Sequence, residues 1–528
     1  MKKLILLILT TIIILSCSDG KKEVLRIPIT SSSPEAAKLL DDYFLNQEER
    51  RNWLNEELLK SILLKDTAFA LARIQGNNLK SDSERRSDFS IAMSNLDGLT
   101  DLEARLIKAN YERQINGNRK RQDEIMDSLI IDYPEYYQLR LWSGNIKNNL
   151  DPKLSEARWN EAIEINADSF FAYFQLAALH FPTGSGFTML APEQRNLDMG
   201  ITYLEKGAEI LPKSSRPSRF LGNIYRGKGE FDKALSAYQE SLDIISKFEA
   251  GEESSPYANS LLMVGHVYTF QDQYQQARKF YDQAITVSQK LNDHYWIVSL
   301  SELKAHTYIY QKDFAGAIQV LSECQVEIEE FTDIEELEKL YYLTYIEESK
   351  FRAFGHSQKE EETLASINKM KELRARQKSI LLNNAGDNTQ KNRIELNTSA
   401  NEVSMDIWFN ILFGKYEKAR ELLVEFQDLS ETRLGFNPNA MNNFYRLSGY
   451  LNLMEGYPEE SIKSYANLSA EAMGNDSYHQ YFLGLAQKAI GRTEESKQMF
   501  VTLANDNFAT WQNSLVKNLA KAQIKTNL

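Results

Sequence analysis

Six histidines, His180, His266, His294, His306, His356 and His479, are the side chains of this 528-residue sequence best suited to hold a metal or move a proton. No two stand four apart, the spacing that puts two imidazoles on one helix face around zinc. His266 and His306 form the nearest thing to a pair, since each follows a small residue, Gly265 and Ala305, at matching places in a recurring pattern. No carboxylate or third histidine joins them at that register, so they read as polar residues of a binding wall. Gly222, Gly227 and Lys228 carry most of a phosphate-binding loop, but Gly229 stands where Ser or Thr would hold magnesium. No strand precedes the segment, so its amides cannot be presented to phosphates. There is no Gly-x-Ser-x-Gly elbow, and Gly184, Ser185 and Gly186 fall in an insertion over Pro182–Arg195. No metal, no cofactor and no enzymatic activity are expected.

The composition narrows the partner. Lys and Arg total 61 against 74 for Asp and Glu, a net charge of −13 with no long basic run. Phosphate contacts need clustered cations, so nucleic acid is excluded as a partner. With 42% apolar residues the chain is too rich in core-forming side chains to be disordered, and two cysteines cannot build a disulfide framework. Cys324 reads as a small buried residue.

At the N-terminus, Lys2 and Lys3 precede an apolar run from Leu4 to Leu15, then Ser16 and Cys17. Twelve residues are too few to span a bilayer but suit the apolar region of a secretory signal. The stretch Ile14–Cys17 resembles the lipobox of bacterial lipoproteins. The resemblance implies cleavage after Ser16 and acylation of Cys17, which would fix the chain to the bacterial cell envelope, at the outer membrane. Residues 1–16 are then a signal peptide and 17–32, polar and turn-rich, a tether.

Beyond the tether one pattern recurs. A small residue is followed seven places on by Gly or a polar residue, then by an aromatic, a small residue and a further aromatic or large apolar one. Gly222, Gly229, Phe231, Ala234, Tyr238 and Ser241 form the clearest copy, and Gly265, Asp272, Tyr274, Ala277, Tyr281 and Ala284 the next. Others start at Ala305, Ile407, Gly449 and Gly484, with weaker copies at Ala109, Ser143 and Ala177. This resembles the tetratricopeptide repeat, a pair of antiparallel helices per unit, too small to bury its apolar face alone and therefore obliged to stack. The expected fold is all-α, a right-handed superhelical solenoid of such hairpins. Its N-terminal array covers 33–382, a loop or hinge 383–403, and a C-terminal block 404–528. The block ends in a solvent-facing capping helix bearing Lys517, Lys521 and Lys525. Thr100–Glu103, Thr332–Glu335 and Ser357–Glu360 read as capping boxes.

In the family, ligands lie against the first helix of each pair, one place after the small mark and a turn to either side. The resemblance therefore implicates Arg219, Asn223, Arg226, His266, Thr269, Glu302 and His306, with Arg446, Tyr450 and Tyr481 in the C-terminal block. The function expected is a membrane-anchored scaffold that binds a peptide or protein partner of the cell envelope. The alternative is an outer-membrane lipoprotein that binds a nutrient or glycan.

Overall fold

A computed structural model describes residues 24–51, 54–76, 80–148, 151–182, 190–191, 194–474 and 476–525. The lipobox, Cys17 and Gly184–Gly186 lie outside the described residues. All regular structure among the described residues is helical. The chain divides into two compact units, Met1–Phe181 with Ser185–Pro212, and Pro182–Gly184 with Lys213–Leu528.

The first unit contains α1 (Pro34–Glu48), α2 (Asn55–Lys65), α3 (Ala70–Arg73), α4 (Asp82–Ser94) and α5 (Asp101–Gln114). It continues with α6 (Arg119–Asp132), α7 (Tyr137–Lys147), α8 (Pro152–Ile165), α9 (Phe170–Leu179) and α10 (Leu197–Ile210). Helix starts follow local chemistry. Ser33 caps α1 with Pro34 at the first position, and Thr100 with Glu103 forms the expected capping box of α5. A second box, Ser81 with Glu84, opens α4.

Residues 24–33 depart from the loose tether expected of them. Arg26 pairs with Asp41 at 2.7 Å and Glu48 at 3.1 Å, and donates to the Tyr137 hydroxyl at 3.0 Å. Ile27 is buried, its amide donating to Gln138 at 2.9 Å. Thr30 donates through its amide and hydroxyl to Glu103 at 2.6 and 2.8 Å, and Ser31 donates to Asp66 at 2.6 Å. The segment is a strap across the unit. Its polar composition supplies hydrogen bonds to buried carboxylates instead of solvation.

The second unit contains α11 (Ser215–Lys228), α12 (Phe231–Phe248), α13 (Ser255–Phe270), α14 (Tyr274–Lys290), α15 (His294–Tyr310) and α16 (Phe314–Glu330). Then come α17 (Glu336–His356), α18 (Glu360–Asn384), α19 (Asn388–Leu412), α20 (Tyr416–Arg433) and α21 (Met441–Met454). The last are α22 (Pro458–Tyr465), α23 (Ala470–Gly474), α24 (Ser477–Ala489), α25 (Thr493–Asn505) and α26 (Trp511–Lys525). The recurring small residues are points of close approach between the two helices of a hairpin. A Cβ on Gly222 would stand 2.4 Å from the Tyr238 ring, on Gly265 2.6 Å from Tyr281, and on Gly449 2.7 Å from Tyr465.

Three expectations are corrected. The loop at 383–403 is mostly helix, because Asp387 caps α19 and Met405, Ile407, Phe409 and Ile411 anchor its far half in the core. Phe351, Ile367, Met370, Met405 and Phe409 form one cluster across that segment, so it marks no boundary. The Thr332 and Ser357 boxes do not form, since α17 and α18 begin at Glu336 and Glu360 without side-chain caps. Finally, α26 is no solvent-facing cap. It packs against α15, α24 and α25, and Asn513, Ser514, Val516, Lys517 and Ala520 are buried.

Candidate functional site

The implicated residues of α11, α13 and α15 line a wall made by the first helices of three successive hairpins. Its side chains mostly answer one another. Asn223 accepts from the Tyr238 hydroxyl at 2.7 Å, and Arg219 donates to Asn259 at 3.2 Å. His266 meets the Tyr281 hydroxyl at 2.8 Å, and Thr269 lies 3.0 Å from that oxygen. Burial, with the charges of Arg226 and His306, holds the His266 pKa well below that of free imidazole.

Further along, Glu302 accepts from Ser349 at 2.6 Å and from the Tyr345 hydroxyl, with His306 3.7 Å and Arg352 3.9 Å away. Burial works to raise its pKa, but His306, Arg352 and Ser349 outweigh that and bring it down to about 2. Glu302 is thus the carboxylate beside His306 that spacing alone did not register. Among the described residues, however, no three His, Cys, Asp or Glu side chains gather as a metal site. The P-loop-like glycines lie along α11, where helical geometry gives them no cradle for phosphate.

Arg446, Tyr450 and Tyr481 belong to a separate cluster. Arg446 pairs with Asp476 at 2.8 Å, Tyr450 accepts from Tyr478 at 3.2 Å, and Tyr481 packs on Phe500 with centroids 5.6 Å apart. Arg226, His266, Thr269, Glu302, His306, Tyr450 and Tyr481 are all less than a tenth exposed.

The C-terminal ends of α11, α13 and α15 are covered by the chain's own C-terminus. Asn507 donates to the Arg226 carbonyl at 3.1 Å, and Ala509 packs among Phe270, Tyr274 and Tyr310. The Tyr310 hydroxyl donates to Asn513 at 3.1 Å, Asn518 donates to the Tyr310 carbonyl at 2.9 Å, and Lys521 pairs with Asp272 at 3.2 Å. Trp511 lies over the Arg352 guanidinium, 4.3 Å from its carbon. Between Glu302, His306, Arg352, Trp511 and Leu515 only about 10 Å³ remains for a water-sized sphere.

An open cleft of about 840 Å³ lies in the first unit, where none of the implicated residues stands. Tyr43 and Phe44 of α1, Asn55 and Leu59 of α2, Asn110 and Arg113 of α5, Gln122 of α6 and Trp142 and Asn145 of α7 all line it. The side-chain oxygens of Asn55 and Gln122 are buried there without a hydrogen-bond partner in the protein, and the residues are 7% and 4% exposed. Leaving such an acceptor unmet costs about 1–3 kcal/mol, a local cost in the packing behind the cleft wall. Asn110 and Arg113 face the cleft from α5, and Arg113 has no carboxylate partner among the described residues. The sequence held a signal for this cleft. Asn110 and Asn145 each follow a close-approach residue, Ala109 and Gly144, in successive hairpins. The sequence pattern puts the mark at Ser143, but a Cβ on Gly144 would stand 2.3 Å from the Trp159 indole, so the register runs one residue later.

Residues 214–290 match the tetratricopeptide repeat family. No curated protein matches the sequence. Among solved structures, the apo quorum sensor NprR from B. thuringiensis is 12% identical, covering 64% of this chain and 98% of its own at a TM-score of 0.39. Apo RapI is likewise 12% identical over 87% and 99%, with a TM-score of 0.39. A Rap protein complexed with competence and sporulation factor is 10% identical over 76% and 99%, with a TM-score of 0.36. The chain is an all-α solenoid of paired, tetratricopeptide-like helices.

Proposed function

We propose that the protein is a non-catalytic scaffold that binds a polypeptide segment in the cleft of its first unit. The observation that carries this reading is the open cleft of about 840 Å³ walled by Tyr43, Phe44 and Trp142, with Asn110, Arg113 and Asn145 lining it. Amide side chains such as Asn110 and Asn145 can pair with a peptide backbone, and apolar walls seat side chains. Arg113 at the cleft supplies a cation for a carboxylate of the bound segment. A sugar platform needs free ring faces, whereas the Trp142 ring packs on Phe44 at 5.7 Å, which favours a polypeptide over a glycan.

The lipid anchor belongs to the same proposal and rests on the sequence from Lys2 to Cys17. Among the described residues no helix is long and apolar enough to cross a membrane. Acyl chains on Cys17, each buried methylene contributing ~0.8 kcal/mol, would hold the scaffold at the outer membrane. Metabolic labelling with an alkyne fatty acid tests this, with label on the wild type and none on Cys17→Ser. Affinity recovery from solubilised envelope tests the cleft. Arg113→Ala with Trp142→Ala is expected to lose the recovered partner, while Arg219→Ala with Asn223→Ala keeps it; the reverse pattern would place binding in the second unit.

A further inference from the structure

The strap of residues 24–33 shortens the leash on which a lipid anchor would hold the first unit. Its grip begins at Arg26, passes Gln138 at the start of α7 and Glu103 at the start of α5, and ends on Asp66 just beyond α2. Arg26 is nine residues on from Cys17. At no more than ~3.6 Å per residue those nine reach on the order of 30 Å, so an anchor at Cys17 keeps Arg26 within that distance of the bilayer. The borders of the strap are apolar. Leu64, two residues before Asp66 in the last turn of α2, is 83% exposed, and Ile131, in the last turn of α6, is 77% exposed. They are the most exposed large apolar side chains among the described residues. The end of α6 is tied to the start of α5 by Arg105 with Asp132 at 2.7 Å and Tyr133 with Asp101 at 3.1 Å. Ile131 therefore stands beside the helix start that grips Thr30. Leu25, next to Arg26, is half exposed. Single exposed apolar residues are ordinary, but here three follow one strap at the point where the chain enters the fold. The cations beside Leu64 and Ile131 are already paired, Lys65 with Glu35 and Arg105 with Asp101 and Asp132, so this face offers apolar contact instead of charge.

We propose that the strapped face of the first unit is a membrane seat, with Leu25, Leu64 and Ile131 entering the interfacial layer of a bilayer of mainly zwitterionic lipids. The strap makes the seat rigid, because hydrogen bonds to Gln138, Glu103 and Asp66 fix the chain as soon as it leaves the bilayer. This inference rests on the lipid-anchor reading and adds to it a defined face; it is independent of the cleft.

The test uses the full-length chain processed in a bacterial envelope and reconstituted in phosphatidylcholine vesicles that carry a doxyl-labelled lipid. A fluorescent amino acid stands at position 64, at 131 or, as control, at the exposed Val424 of the second unit. Quenching at 64 and 131 is expected to exceed that at 424 at least threefold; equal quenching at all three would mean a freely swinging chain and overturn the proposal. Leu25→Ser with Leu64→Ser alters only solvent-facing side chains and should lower quenching at 131 at least twofold, and no change would overturn the apolar contact. Adding phosphatidylglycerol should leave quenching at 64 and 131 unchanged, whereas a threefold rise would mark attraction by charge and overturn it too. Alkyne fatty-acid labelling of the same preparations separates the two readings. Labelled protein without the contrast ends this proposal alone, and unlabelled protein that stays off the vesicles ends the anchor with it.

Discussion

The indole of Trp511 covers the guanidinium of Arg352, which in turn stands 3.9 Å from Glu302, so the last helix is seated on a buried charge cluster. Because the indole is half-buried and makes a cation–π contact, Trp511→Ala is expected to destabilise the second unit by about 2 kcal/mol. Trp511→Phe should recover part of that loss. Urea unfolding midpoints for the three proteins check the order.

Gly222 lies in the middle of α11, where Ala would ordinarily gain about 1 kcal/mol of helix propensity. The added Cβ would meet the Tyr238 ring at 2.4 Å, in a hairpin where that ring is fully buried. Overpacking costs about 1–3 kcal/mol, so the clash wins and Gly222→Ala is expected to lower stability. The pairing with Tyr238→Leu should restore the propensity gain. Thermal melts of the single and double variants read the sign change.

Glu103 serves two structures at once, accepting from Thr100 to close the α5 capping box and from Thr30 to hold the strap. Glu103→Ala leaves those donors unmet and is expected to cost about 2–3 kcal/mol. Hydrogen exchange over residues 24–33 should rise with it. Unchanged protection there would mean that Arg26 and Ser31 hold the strap alone.

Acid should act on the second unit through Glu302. Its folded pKa of about 2 lies below the ordinary glutamate value of 4.5, so its contribution is full above pH 4.5 and is lost as the pH falls toward 2. The shift corresponds to on the order of 3 kcal/mol. Glu302→Gln is therefore expected to be clearly less stable than wild type at pH 7 and nearly equal to it at pH 2. Paired denaturation curves at the two pH values measure the difference.

Hairpins were legible in the sequence because close packing leaves a residue-type signature at fixed spacing: Gly222 against Tyr238 and Gly265 against Tyr281 cannot be substituted freely. Occupancy of the wall was not legible. Asn513, Asn518 and Lys521 reach Tyr310 and Asp272 across more than two hundred residues, and no local pattern reports such a contact. The helix at Asn388–Leu412 was missed because its first half is polar and exposed, and only Met405 to Ile411 carry the apolar spacing. The open cleft was missed because α1 and α2 contribute eight of its twenty-two lining residues without the repeat's small marks.

The most direct test of peptide binding in the first unit is photo-cross-linking from a probe at Ile146, a cleft-lining position, in full-length wild type and Arg113→Ala. Because Arg113 is exposed, the substitution should leave the fold about as stable while stripping the cleft of its cation. The expected result is a discrete polypeptide adduct in the wild type, reduced at least tenfold in Arg113→Ala. An adduct of equal yield from both proteins, or from a control probe at the exposed Leu64 outside the cleft, would contradict the assignment.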